Sequence, residues 1–117
     1  WEEKGDLSKA STYYQQAIQI NSNYAEAWWN LGNILEKKGQ IELVIEYRQK
    51  VLRLNPDYIE AYRSLGSIFL NLGKLAESQK YYEQAIKLDK NHVNSHFCLA
   101  IVLLKQGDFI AGFVEYE

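Results

Sequence analysis

His92 and His96 stand four residues apart, a spacing that on a helix sets two imidazoles on one face, where they can hold zinc. The intervening Val93, Asn94 and Ser95 include no glutamate to serve as the general base of a zinc protease, and no third ligand is near apart from the more distant Cys98. Cys98 is the only cysteine, which excludes an internal disulfide and is compatible with a reducing compartment. With no cation beside it in sequence, it reads as an inert helical thiol rather than a nucleophile. The glycines are scattered singly instead of clustering at a strand-to-helix turn, so no loop is built to cradle a phosphate, and there is no Gly-x-Ser-x-Gly. Glu2, Glu3, Glu42 and Glu46 lie among lysines and arginines, where solvation and i, i+4 pairing account for them. These residues point to no enzyme, no metal and no cofactor.

The elements that carry these residues are set by an internal repeat. Gly5, Gly39, Gly73 and Gly107 fall on one register of 34 residues, and the same offset aligns Trp28, Tyr62 and His96, then Leu31, Leu65 and Leu99, then Gly32, Gly66 and Ala100. His96 thus stands where its neighbours have an aromatic, and His92 stands where they have Tyr24 and Tyr58, so the repeat explains both imidazoles without zinc. A period of this length marks a stacked array whose units bury their apolar faces against one another. Counting Ala25, Ile59 and Val93 as position 1, apolar or small side chains at positions 3, 4, 7, 10 and 11 fall on one arc of a helix. The pattern predicts helices over about 25–38, 41–54, 59–72 and 75–88. Each glycine of the register should end a first helix in the left-handed conformation. Asp6 and Asp108 should cap the second helices that follow Gly5 and Gly107. Seven helices are expected in all, with a short stub over residues 1–4. Gly32, Gly66 and Ala100 should admit a close approach of the paired helix, and Trp28, Tyr62, Tyr14, Tyr82 and Tyr116 should be packing residues.

Trp/Tyr-x-x-Leu-Gly in tandem, with Gly at position 15, tyrosines near 23 and 24 and Ala or Val at 27, resembles the tetratricopeptide repeat, and the resemblance covers the whole chain. It implies an all-α fold, an α-α superhelix of helix-turn-helix repeats, here a partial repeat at 1–24, repeats at 25–58 and 59–92, and a partial repeat at 93–117. Asn55-Pro56 occurs once, and Asn21-Ser22 and Asp89-Lys90 replace it in the neighbouring copies, keeping turn-forming side chains. The resemblance also implies a scaffold that binds a protein or an extended peptide in its concave groove rather than a catalyst.

Composition sets the bounds. The 117 residues are 47% hydrophobic and 24% charged, a folding composition, and the net charge of -2 offers no electrostatic footprint for nucleic acid. The longest apolar run, residues 97–104, falls far short of a membrane span, so no membrane partner is expected and a cytoplasmic location is. The chain opens on Trp1 inside a first helix of the register and closes before a second helix is complete, which reads as a piece cut from something longer.

If the packing arc is buried, the opposite side of each first helix faces the groove. That side places Glu26, Trp29, Asn30, Asn33 and Lys37 on the first helix, Glu60, Arg63, Ser67 and Asn71 on the next, and Asn94, Phe97 and Ile101 on the last. Amides and a guanidinium can bind a peptide backbone whatever its sequence, and an indole adds apolar contact. Trp29 and Arg63 should therefore tolerate alanine with little loss of stability. The stretch around Trp29 is similar to repeats of the O-linked N-acetylglucosamine transferase array, whose groove asparagines hold peptides; only Asn30 matches. Residues 107–117 are similar to the closing repeat of bacterial arrays that precede a glycosyltransferase-like domain, which implies a substrate-recruiting segment as an alternative. Self-assembly is a third reading: Trp1 with the face of the helix over residues 7–20 at one end, and the helix over residues 109–116 at the other, should expose surfaces that invite end-to-end association. Residues 97–104 are apolar all round, so something should cover Phe97, Ile101 and Leu104.

Overall fold

The computed structural model describes the backbone of residues 2–114 and the side chains of residues 7–107. Among the described residues are six helices: α1 (Glu2–Ile20), α2 (Ala25–Lys37), α3 (Ile41–Leu54), α4 (Ile59–Asn71), α5 (Leu75–Leu88) and α6 (Val93–Val114). The four internal helices keep the boundaries expected from the repeat to within a residue. The chain divides within α4 into two compact units, Trp1–Ala61 and Tyr62–Glu117.

Two local devices recur at the repeat interval and bound the helices. At Gly39 and Gly73 the backbone turns left-handed, with φ of 78° and 79°. The N–H of the next residue reaches back five positions, Gln40 to the Leu35 carbonyl at 3.0 Å and Lys74 to Phe69 at 2.8 Å. This closure satisfies carbonyls that the helix end would otherwise leave without a partner. Between repeats, Asn21, Asn55 and Asp89 each accept, through the side-chain oxygen, the N–H two residues on, at 3.1, 3.2 and 3.0 Å. Proline is therefore not needed to stop the helix at 21 or 89, because the Asx turn recurs there without it.

In the first unit α2 packs against α1 and α3, burying Ala27, Leu31 and Ile34 of α2 with Val44 and Val51 of α3. In the second unit Leu65, Ile68 and Phe69 of α4 are buried with Tyr82 and Ala85 of α5, and α5 packs against α6, where Val102 is buried.

The outer members of the glycine register behave differently. Helix α1 runs through Gly5 and α6 runs through Gly107, so the expected turns there, the stub before Gly5 and the caps at Asp6 and Asp108 are replaced by two long helices. A glycine permits a left-handed turn without compelling it, and inside a helix it costs only about 1 kcal/mol relative to alanine.

Candidate functional site

The α2 face opposite the packing arc is organised from behind by Arg48 of α3. Its side chain is 1% exposed. Arg48 stands one repeat before Tyr82, and each takes the same kind of seat. A Cβ at Gly32 would lie 2.6 Å from Arg48 Nη1, and one at Gly66 would lie 2.8 Å from Tyr82 Cε2. The expected close approach is thus a side chain of the second helix laid across a glycine of the first.

From that seat the guanidinium reaches the far side of α2. Its Nη1 donates to the Trp29 carbonyl at 2.7 Å and its Nη2 to Asn33 Oδ1 at 2.6 Å. Its carbon lies 3.7 Å from the Trp29 ring centroid, and the Glu36 carboxylate stands 4.0 Å from Nη2. Removing a guanidinium from water costs several kcal/mol. Here charge-assisted hydrogen bonds and an indole stack of about 0.5–2 kcal/mol offset that cost. Beside the same indole stands Tyr58, whose ring centroid lies 5.2 Å from that of Trp29. Burial pushes the Tyr58 hydroxyl above its ordinary pKa, and the charges of Glu26 and Glu60 add to the rise while Arg48 opposes it.

Of the residues assigned to the face by sequence in the first unit, Trp29, Asn30 and Asn33 are half-buried, Glu26 and Lys37 are exposed, and Glu60 is half-buried. The structure brings Trp29 and Asn33 together through one buried cation. Trp29 is consequently part of the packing around Arg48 and not a freely replaceable surface indole. Arg48 itself was missed, although its register was a signal: the residues one repeat away on either side, Tyr14 and Tyr82, are both aromatic.

In the second unit Arg63, Ser67 and Ile101 are half-buried, while Asn71, Asn94 and Phe97 are exposed. Burial pushes the Tyr82 hydroxyl well above the ordinary range, with Cys98 adding to the rise and Ser67 and Arg63 opposing it. The Cys98 thiol donates to Asn94 Oδ1 at 3.1 Å. In α6, two of the apolar residues for which a cover is expected, Phe97 and Leu104, are 66% and 70% exposed. Packing on α5 takes up the side marked by Ser95 and Val102.

The histidines perform turn chemistry. His96 Nε2 bonds the Lys90 carbonyl at 2.7 Å, and Trp28 Nε1 donates to the Ser22 carbonyl at 2.9 Å, the same contact two repeats apart. His92 Nδ1 accepts the Ser95 N–H at 3.2 Å and lies 2.6 Å from Ser95 Oγ, at the start of α6. Among the described residues no cluster of three His, Cys, Asp or Glu could hold a metal ion, and no helix is long and apolar enough to cross a membrane. The packing role expected of Trp28 is visible in its edge-on contact with Tyr47 at 5.0 Å, and that of Tyr82 in its burial. Tyr116 and, of the surfaces expected to associate end to end, Trp1 and residues 109–116 lie outside the described side chains, while on the helix over residues 7–20 Tyr13 and Ile20 are exposed.

Models of the tetratricopeptide repeat match residues 23–91 and 81–111, and a TPR repeat model matches residues 3–39. No curated protein sequence matches the chain. Among solved structures, MamA protein superimposes with a TM-score of 0.78 at 20% identity, over 92% of this chain and 58% of that one. The first TPR of Spaghetti (RPAP3), bound to the HSP90 peptide SRMEEVD, gives 0.79 at 19% identity, over 92% of this chain and 85% of that one. YrrB, described as a TPR protein with an unusual peptide-binding site, gives 0.78 at 22% identity, over 91% and 55%. The chain therefore spans less than two thirds of the MamA and YrrB chains.

Proposed function

Since the chain belongs to the tetratricopeptide repeat family, we propose that it is a protein-binding scaffold and that the α2 face is a contact surface for an extended peptide. The observation that carries this reading is the fixation of Trp29 and Asn33 by the buried Arg48. A binding surface whose side chains are already held loses less conformational entropy on association. Asn30 offers a second amide on the same face, and Lys37 and Glu26 offer exposed charges at its two ends. A main chain presents alternating donors and acceptors, which amides match, and an indole gives contact area with few rotatable bonds. The solved relatives named as holding a peptide or a peptide-binding site support the same class of partner.

The test is selection from a random 12-residue peptide display library on the immobilised chain, followed by binding of the selected peptides to Asn30→Ala and Lys37→Ala. Both side chains lie off the Arg48 cluster, so the fold should be retained. About a tenfold loss of affinity for Asn30→Ala, near 1.4 kcal/mol, is expected. Selection of no peptide, or of peptides indifferent to both substitutions, would refute the reading.

A further inference from the structure

A side-chain amide has two ends that a ligand reads oppositely, an acceptor oxygen and an NH2 donor. On Asn33 the choice between them is made by the residue behind it. Arg48 Nη2 lies 2.6 Å from Asn33 Oδ1. A guanidinium carries five N–H donors and no acceptor, so only the oxygen of the amide can lie against it. Reversing the amide would set two donors against each other at that distance. Nor can the guanidinium swing aside to relieve them. It is 1% exposed, bonded to the Trp29 carbonyl at 2.7 Å, stacked 3.7 Å from the Trp29 ring and seated across Gly32. Leaving those partners would strand a buried charge.

We infer that Arg48 is a specificity-determining residue of the α2 face: by holding the Asn33 oxygen it fixes which way the Asn33 amide is turned, so that the NH2 is the end left for a ligand and this point of the surface favours a hydrogen-bond acceptor. The acceptor is a peptide main-chain carbonyl or a carboxylate. The inference rests on the peptide-binding reading of α2 and adds to it the polarity of one subsite. The second unit supplies the internal contrast. There the seat across Gly66 is taken by Tyr82, and the residue one repeat on from Asn33 is Ser67. Hydroxyls both donate and accept, so that pair fixes no polarity. The exchange of tyrosine for arginine at one seat is what gives the α2 face a direction.

The experiment follows the Asn33 side-chain NH2 resonances of the 15N-labelled chain by NMR during titration with three probes. N-methylacetamide stands for a main-chain carbonyl, acetate for a carboxylate, and methylammonium is a donor with no acceptor. The Asn33 pair should shift with an acceptor probe and not with methylammonium. A response to acetate alone assigns the subsite to carboxylates, and a response to N-methylacetamide assigns it to the main chain. In Arg48→Tyr, which copies the second unit's arrangement, the response should fall at least threefold. No response to either acceptor in the wild type, an equal response to methylammonium, or an undiminished response in a folded Arg48→Tyr would overturn the inference. Should Arg48→Tyr fail to fold, Asn33→Asp decides: its carboxylate keeps the bond to Arg48 but has no donor. Peptides selected on the wild type should then bind at least tenfold more weakly. If they bind Asn33→Asp unchanged, the polarity is wrong while the scaffold reading stands. If no peptide is selected at all, the scaffold reading fails, and the shift of the Asn33 pair still decides the polarity.

Discussion

Arg48 and Tyr82 occupy equivalent seats across Gly32 and Gly66, yet the two glycines should respond differently to a methyl group. At Gly66 the added Cβ would meet three atoms of the Tyr82 ring at 2.8, 2.9 and 3.0 Å, and a ring moves only as a body. At Gly32 it would meet the tip of a flexible chain, Nη1 at 2.6 Å and Cζ at 3.2 Å. Gly66→Ala is therefore expected to lose stability by about 1–3 kcal/mol from overpacking, less what helix propensity returns. Gly32→Ala should lose more stability, because displacing the guanidinium breaks its bonds to Trp29 and Asn33 and strands a buried charge. Melting of the two variants checks the order, and a smaller loss at Gly32 would show that Arg48 can yield without losing its partners. Trp29 belongs to the same cluster. Trp29→Ala removes the stack over Arg48 and the contact with Tyr58, so a loss of about 1–3 kcal/mol replaces the near-neutral outcome that position alone implied. Chemical denaturation would show it, and a loss under about 0.5 kcal/mol, typical of a surface substitution, would return Trp29 to the exposed face.

The helices were legible because their signals are local and repeated: an apolar arc, a glycine at the turn, an Asx side chain between units. The reading of the outer glycines failed because a glycine states only what the backbone is allowed to do. That distinction makes a prediction with opposite signs at one register. Gly39 and Gly73 have positive φ and nothing within 4 Å of an added Cβ, so alanine there meets pure conformational strain of about 1–2 kcal/mol. Gly107 lies inside α6 with the same open surroundings, and alanine there should raise stability by up to about 1 kcal/mol. Thermal melts of the three variants read this directly, and a destabilised Gly107→Ala would restore the turn expected from sequence. Core positions follow the arc as read: Leu65 is fully buried, and Leu65→Ala should cost about 2–5 kcal/mol. The candidate site was legible only in part. The face of α2 follows from helical period, but the residue that organises it comes from α3 and crosses the helix at Gly32, a contact that no periodicity within one helix encodes.

At the scale of the molecule the charge is nearly balanced at -2, so the response to pH falls to a few buried groups rather than to overall repulsion. Among the described residues Tyr82, buried, and Tyr58, half-buried, are such groups, one in each unit, and desolvation raises the pKa of both. A raised folded value means that the native state holds its phenolic proton more tightly than the unfolded chain, whose tyrosines release theirs near pH 10. The stabilising contribution is therefore complete below about pH 10 and is lost as pH rises through the folded values. The melting temperature should accordingly show no tyrosine-linked change between pH 7 and 9 and should fall beyond about pH 10. Tyr82→Phe removes the hydroxyl with the larger shift, at the cost of its polar interactions with Ser67 and Cys98. It should therefore begin less stable at neutral pH and decline less steeply in alkali, so that its curve approaches that of the wild type near pH 11. Melts recorded from pH 7 to pH 11.5 would display the two slopes. Parallel curves would mean that the alkaline loss arises elsewhere, and a steeper decline in Tyr82→Phe would reverse the sign assigned to the buried phenol.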